Sequence, residues 1–171
     1  MVRDSRSNNF VELAPTRYQF AELVGDEYDD NWLMIRGHVQ NGPDEWHFED
    51  PSLLVEDATR MSMWLRRAGQ GEVPVSLVDE DGEIWPQLSF LEPNLGFAVV
   101  ARDSDRVTLR VFLSHESGKP DNVPHIVKSK TDAVVDLVVA PADLARAAEE
   151  WASAVEEFPE RTPTNGAKPA D

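Results

Sequence analysis

The chain has 171 residues, of which 41% are hydrophobic and 28% charged, a balance typical of one globular domain with a sizeable core. Its 32 acidic and 16 basic residues give a formal net charge of −16, which disfavours direct binding to nucleic acids or anionic membranes. The absence of cysteine excludes a disulfide scaffold, thiol chemistry and Cys-ligated metal sites.

The limits of the predicted domain follow from its two tails, and the sequence shows no targeting signal. No apolar run reaches the roughly 18 residues that a membrane helix needs, and the polar N-terminus lacks the apolar region of a signal peptide. Because the chain also lacks cysteine, we expect a cytoplasmic protein. Residues 1–8 are predicted to be frayed and residues 159–171, rich in Pro, Gly, Ala and Thr, to be disordered. A single domain over residues 9–158 is the prediction.

Alternating patterns in the first half predict two hairpins. Residues 31–40 alternate cleanly, with Leu33, Ile35 and Val39 on one face, so they predict a strand. The turn signal NGPD at 41–44 leads to a return strand at 45–48. A second hairpin is predicted from 75–78 and 83–90, joined by the turn DEDG at 79–82.

Further strands are predicted in the second half. Residues 95–102 and 106–114 form a hairpin around a turn at 103–105, with alternate apolar residues in the second strand. Residues 133–139 are apolar on both faces, which predicts a strand at the centre of a sheet. Segment 89–97, SFLEPNLGF, is interpreted as a corner of the sheet, because Pro93 lacks an N–H and Asn94 tolerates turn geometry.

Two amphipathic helices complete the pattern. The first is predicted over residues 55–68 with Gly69 as its end, and Asp50-Pro51 is an alternative start. The second is predicted over residues 141–158, because Pro141 suits the first turn and Pro159 stops it. Successive hairpins with two packed helices predict an α+β fold, predominantly an antiparallel β-sheet of about seven to nine strands.

Signals for chemistry are weak. The histidines are His38, His47, His115 and His125, and none pairs with another at a ligand spacing such as His-x-x-x-His. His47, close to Glu49 and Asp50, is the best metal candidate, but an exposed strand residue beside acidic side chains is the favoured interpretation. We therefore predict no catalytic residue, no metal and no cofactor.

Acidic residues are concentrated in three segments, at 22–30, 44–57 and 79–83. Such segments are typical of solvated loops, and equally of an acidic rim around a docking surface. Tyr28 and Trp32 flank part of the first segment, so this stretch is either an exposed acidic–aromatic contact site or a loop whose Trp32 closes one end of the core. For Glu92 a structural corner is favoured over partner contact, and partner contact over acid catalysis.

Several short motifs together resemble one known family. They are YQF at 18–20, DDNWL at 29–33, WHFEDP at 46–51, WL at 64–65 and FLEPNLGF at 90–97. In this order they resemble the WapI-type immunity proteins and related uncharacterised bacterial proteins, many of them from actinobacteria.

The resemblance implies a non-enzymatic protein that binds and blocks the C-terminal nuclease domain of a WapA-like toxin. Because an RNA-cutting toxin has a basic cleft, an acidic inhibitor is expected to occupy it. The predicted contacts are Asp26, Glu27, Asp29, Asp30 and Glu92. Two alternatives stay open: a small-molecule-binding or enzymatic β-domain, and an acidic module with another basic partner.

Overall fold

A computed structural model describes residues 2–120 and 130–162 of the chain. In these residues two four-stranded antiparallel sheets, one separate pair of two-residue strands and two α-helices form an α+β fold. The predicted fold class is confirmed. Neither helix is long and apolar enough to cross a membrane, as far as the described residues extend.

The first sheet contains the four N-terminal strands in sequential order. They are β1 (Val2–Arg3), β2 (Phe10–Tyr18), β3 (Trp32–Asn41) and β4 (Asp44–Leu54). The predicted alternation in β3 is confirmed, since Leu33, Ile35 and Val39 are all fully buried. β4 is longer than predicted and includes Asp50 and Pro51, so this dipeptide does not start a helix. Its position at the edge of the sheet tolerates a residue without an N–H.

The N-terminal segment is ordered, contrary to the prediction of fraying. Val2 and Arg3 pair with Val11 and Phe10. The segment then reaches the second sheet, where the Ser5 N–H donates to the carbonyl of Val138 at 2.8 Å. Contacts with residues far along the chain order this segment. Its polar sequence has no periodic pattern, so the sequence alone did not indicate that order.

The second sheet contains β5 (Leu88–Ser89), β6 (Leu95–Arg102), β7 (Val107–Leu113) and β10 (Ala133–Val139), and the separate pair is β8 (Lys119–Pro120) with β9 (Lys130–Thr131). The order of strands in the second sheet is β10-β7-β6-β5. The β6–β7 hairpin is confirmed, and alternate residues of β7 are buried.

Two predictions for the second sheet are wrong. β10 lies at the edge of the sheet and not at its centre, and its Val134 is exposed. The N-terminal segment covers part of this edge, because Ser5 and Asp4 form hydrogen bonds with the backbone of Val138. Of the hairpin predicted from 75–78 and 83–90, the turn exists but only Leu88–Ser89 pairs as a strand. Pro74 and Pro86 lack the N–H that a regular ladder needs.

The two helices are antiparallel neighbours. They are α1 (Val55–Gln70) and α2 (Pro141–Val155). Near the start of α1, the carbonyl of Ala58 accepts a 2.7 Å hydrogen bond from Trp151 of α2. Near its end, a Cβ added to Gly69 would lie 2.9 Å from the carbonyl oxygen of Pro141. Gly69 is thus inside α1 as a packing residue, and the helix ends instead at Gly71, which has φ +83°.

Buried residues from both sheets and both helices form one connected core. α2 ends at Val155, before the predicted end at 158. Residues 159–162, predicted to begin a disordered tail, follow it and contact the first sheet: the Tyr18 hydroxyl donates to the carbonyl of Pro159. The rest of that predicted tail, residues 163–171, lies outside the described residues, as does His125.

Candidate functional site

The loop between β2 and β3 carries four of the five carboxylates predicted to contact a partner. One of them, Asp30, is only 1% exposed. Its two oxygens accept the backbone N–H groups of Val24 at 2.6 Å and Gly25 at 3.1 Å. In this conformation Asp30 orders the loop and is not available to a partner.

Asp26 also shapes the loop. Its Oδ1 accepts the backbone N–H groups of Tyr28 at 2.9 Å and Asp29 at 3.1 Å, which starts a short 3₁₀ turn. This turn leaves the side chains of Glu27 and Asp29 exposed, next to a Tyr28 ring that is 59% exposed. The aromatic residue presented to solvent is therefore Tyr28.

The segment that follows α2 holds this loop from the other side. Asn31 donates to the carbonyls of Glu27 at 2.7 Å and Arg161 at 2.8 Å, and its Oδ1 accepts the N–H of Arg161 at 2.7 Å. The Arg161 guanidinium lies 3.4 Å from the centre of the Tyr18 ring and donates to the carbonyl of Phe20 at 2.8 Å. Both ends of the loop are thus fixed, and its exposed side chains are presented in a defined arrangement.

Four exposed carboxylates surround two adjoining depressions at this end of the molecule. Glu27, Glu56 and Glu160 line the first depression. Glu56, Glu156 and Glu160 line the second, which runs between the start of α1 and the end of α2. We call this surface the acidic groove, defined by Glu27, Glu56, Glu156 and Glu160. Only Glu27 was predicted as a contact, because the other three meet it through tertiary packing.

The acidic groove is electrostatically uncompensated. None of its four carboxylates forms an ion pair with another residue in the part of the chain that the structure describes. Glu156 is the C-cap of α2, whose last turn has no basic residue, so its charge opposes the helix dipole. Such an arrangement favours a positively charged partner.

The corner that contains Glu92 adjoins the first turn of α1. Glu92 is exposed, whereas Asn94 is 1% exposed and donates to Asp50 at 2.9 Å. The Arg60 guanidinium, which pairs with Asp57 of that first turn, donates to the carbonyl of Ser89 at 3.0 Å. The corner is therefore built by Asn94 and Asp57, and Glu92 is left facing solvent.

The Asp57 carboxyl is the titratable group at this end whose pKa is shifted. Burial raises the pKa of Asp57, and the Arg60 guanidinium, 2.7 Å away, partly offsets the effect. Backbone N–H groups of Leu54 and Leu91 also lower this pKa, because they stabilise the carboxylate. With these partners Asp57 holds the start of α1 and the corner together.

The structure gives His47 different neighbours from those expected. In the predicted metal candidate it was grouped with Glu49 and Asp50, but it lies directly opposite His38 across the β3–β4 hairpin. Their rings stack with centroids 4.0 Å apart, and Glu45 joins them. The predicted turn at 41–44 already implied this pairing. A turn that places Asn41 opposite Asp44 also places His38 opposite His47, three residues further along each strand.

A second exposed surface adjoins the corner at Pro93. Here Trp85 is 70% exposed and its indole N–H donates to Asp79 at 2.7 Å. Trp85 and Phe112 line a groove whose acidic residues are Glu83 and Asp132. We call this surface the Trp85 groove.

Comparison with known proteins gives a family. Residues 2–159 match the Immunity protein WapI-like family, which is nearly the whole chain. The chain belongs to this family. No curated protein and no solved structure matches it.

Proposed function

We propose that this chain is an immunity protein that binds a basic toxin domain through the acidic groove and the adjoining loop, and blocks it without chemistry of its own. Membership of the WapI-like family supports an immunity function. The single observation that supports this surface is the convergence of four exposed, unpaired carboxylates on two adjoining depressions.

Binding is proposed to occur in two steps, electrostatic attraction and then docking of the ordered loop. A net charge of −16 attracts a basic domain over a distance comparable to the Debye length, so association is accelerated at low salt. The loop then docks without a large loss of entropy, because internal hydrogen bonds already fix it. Tyr28 supplies an exposed aromatic anchor beside Glu27.

The contacts proposed from the structure differ from the five residues predicted from the sequence. Glu27, Asp29 and Glu92 remain proposed contacts because their side chains are exposed, and Glu56, Glu156 and Glu160 join them. Asp26 and Asp30 support the loop through backbone hydrogen bonds. We take the partner to be a nuclease whose basic, phosphate-binding cleft receives these carboxylates, and the chain to act in the cytoplasm.

A direct experiment starts with a search beside the gene of this chain for a large secreted repeat protein with a variable C-terminal domain, the expected toxin partner. The variable C-terminal domain of a neighbouring large secreted repeat protein is purified, and its cleavage of transfer RNA is measured with and without the full chain. Stoichiometric protection by the wild type, and loss of protection with Glu27→Lys/Glu56→Lys, support the proposal. Undiminished cleavage in the presence of the folded wild-type chain overturns it.

A further inference from the structure

The β3–β4 hairpin brings three metal-ligating side chains together on an exposed face of the first sheet. His38 and His47 are directly opposite each other, and Glu45 lies two residues before His47 on the same face. Oε1 of Glu45 lies 2.7 Å from Nε2 of His38. One donor atom from each of the three residues lies within 4.8 Å of the others.

The chemistry of these donors selects a class of ion. Two imidazoles with one carboxylate suit Zn²⁺, Ni²⁺ or Cu²⁺, whereas Mg²⁺ and Ca²⁺ prefer oxygen ligands alone. Donors around a tetrahedral Zn²⁺ lie about 3.3 Å apart, given metal–ligand distances of about 2.0–2.2 Å. The three donors therefore need a small rearrangement, in which the stacked rings turn so that their nitrogen lone pairs converge. Glu45 and His47 are exposed and have the space to make it.

Separate contacts already orient His38. Nδ1 of His38 lies 3.8 Å from Oε2 of Glu12, which is too long for a hydrogen bond but close enough for one to form after a small movement, while Nε2 contacts Glu45. Phe10 packs edge-on against the same ring with centroids 4.7 Å apart. A carboxylate behind a metal-ligating histidine is a recurrent arrangement that fixes the ring and raises its basicity.

The surroundings are open and mainly acidic. His38 and His47 line a surface depression together with Glu12, Arg36 and, from α2, Glu150. Arg36 is the one cationic side chain among these lining residues, and Glu49 lies opposite it in the sheet. A hydrated divalent ion therefore has access to the donors through a depression with excess negative charge.

We propose that His38, Glu45 and His47 bind one divalent transition-metal ion, with water completing its coordination. The ion links β3 to β4 across the hairpin. This site lies apart from the acidic groove, whose lining residues it does not share, and it is independent of the proposed immunity function.

The test uses the untagged full chain after removal of metals with a chelator. Zn²⁺ is titrated into it near neutral pH by calorimetry, and the imidazole signals of the histidines are followed by NMR. One Zn²⁺ per chain is expected, with the signals of His38 and His47 shifted. His47→Gln and Glu45→Gln, both at exposed positions, should each weaken binding by about 10-fold or more, and Glu12→Gln by about 10-fold.

His115→Asn is the matched control, because His115 is exposed, lies outside the three-residue cluster and has a positive φ of 50° that Asn tolerates. This variant should bind Zn²⁺ like the wild type. Circular dichroism verifies that each variant folds. The proposal is overturned if Zn²⁺ does not bind, or if binding persists unchanged in both His47→Gln and Glu45→Gln.

Discussion

The conformation of the loop before β3 depends on the buried carboxylate of Asp30. A substitution at this position therefore tests the fold around the acidic groove. Asp30→Asn keeps the size of the side chain but removes its charge and one of its two acceptor oxygens. In the wild type these oxygens accept N–H groups at 2.6 and 3.1 Å. The variant therefore loses one of the two hydrogen bonds, and the one that remains is no longer charge-assisted.

The expected loss of stability follows from typical hydrogen-bond energies. A hydrogen bond to a charged group contributes about 1.5–3 kcal/mol, so Asp30→Asn should lower the free energy of unfolding by about that amount. In a domain of this size 1 kcal/mol shifts Tm by about 2–4 °C, which gives a decrease of about 3–12 °C. Urea denaturation measures the first quantity and a thermal scan the second.

The neighbouring Asp29→Asn is a matched control with the same change of charge. Asp29 is exposed, so its neutralisation should change the free energy of unfolding by no more than about 0.5 kcal/mol. Hydrogen exchange adds a local measurement: the amides of Val24 and Gly25 should lose protection only in Asp30→Asn. Equal stability of the two variants, with unchanged exchange, would refute the assignment of Asp30 as the residue that orders the loop.

Two further predictions concern packing and pH. Gly69→Ala should lower the free energy of unfolding by about 1–3 kcal/mol in urea, although Ala favours helix, because its Cβ would lie 2.9 Å from the carbonyl oxygen of Pro141; a more stable variant would contradict this packing. Burial raises the pKa of Asp4, but the N–H groups of Val138, Arg6 and Ser7 that donate to its carboxylate lower it overall, below 3.8. The carboxylate therefore stabilises the fold above pH 3.8, and this contribution is lost as the pH falls through the lowered pKa. The stability difference between wild type and Asp4→Asn should shrink in acid, and a difference independent of pH would refute this role.

Regular, locally encoded elements were predictable from the sequence. β3 and β7 alternate residue by residue, and both helices have the expected apolar face, because each buries one side against a single core. β2 was missed, since FVELAPTRY has no clean alternation and includes Pro15 and a register shift between Pro15 and Arg17. Its strand conformation comes from pairing with β3, which a local pattern does not reveal.

The candidate site was predictable only in part. The acidic loop was recognised, but composition does not distinguish exposed Asp29 from buried Asp30, because that difference depends on which backbone N–H groups fold over the carboxylate. The acidic groove joins residues from the loop, α1 and the end of α2, which are far apart in sequence. In contrast, the pairing of His38 with His47 follows from the turn alone and was available from the sequence.

The most direct test of the central claim is the association rate constant with the basic toxin domain, measured by stopped flow over a range of NaCl concentrations. Glu27→Gln/Glu56→Gln/Glu156→Gln/Glu160→Gln neutralises the acidic groove. Glu80→Gln/Asp81→Asn/Glu83→Gln/Asp132→Asn removes the same number of charges at and beside the Trp85 groove. We predict that the first variant associates about 10-fold or more slowly at low salt, that this difference disappears at high salt, and that the second variant stays close to the wild type. Slower association of the second variant alone, or equal rates for all three proteins at low salt, would contradict the account.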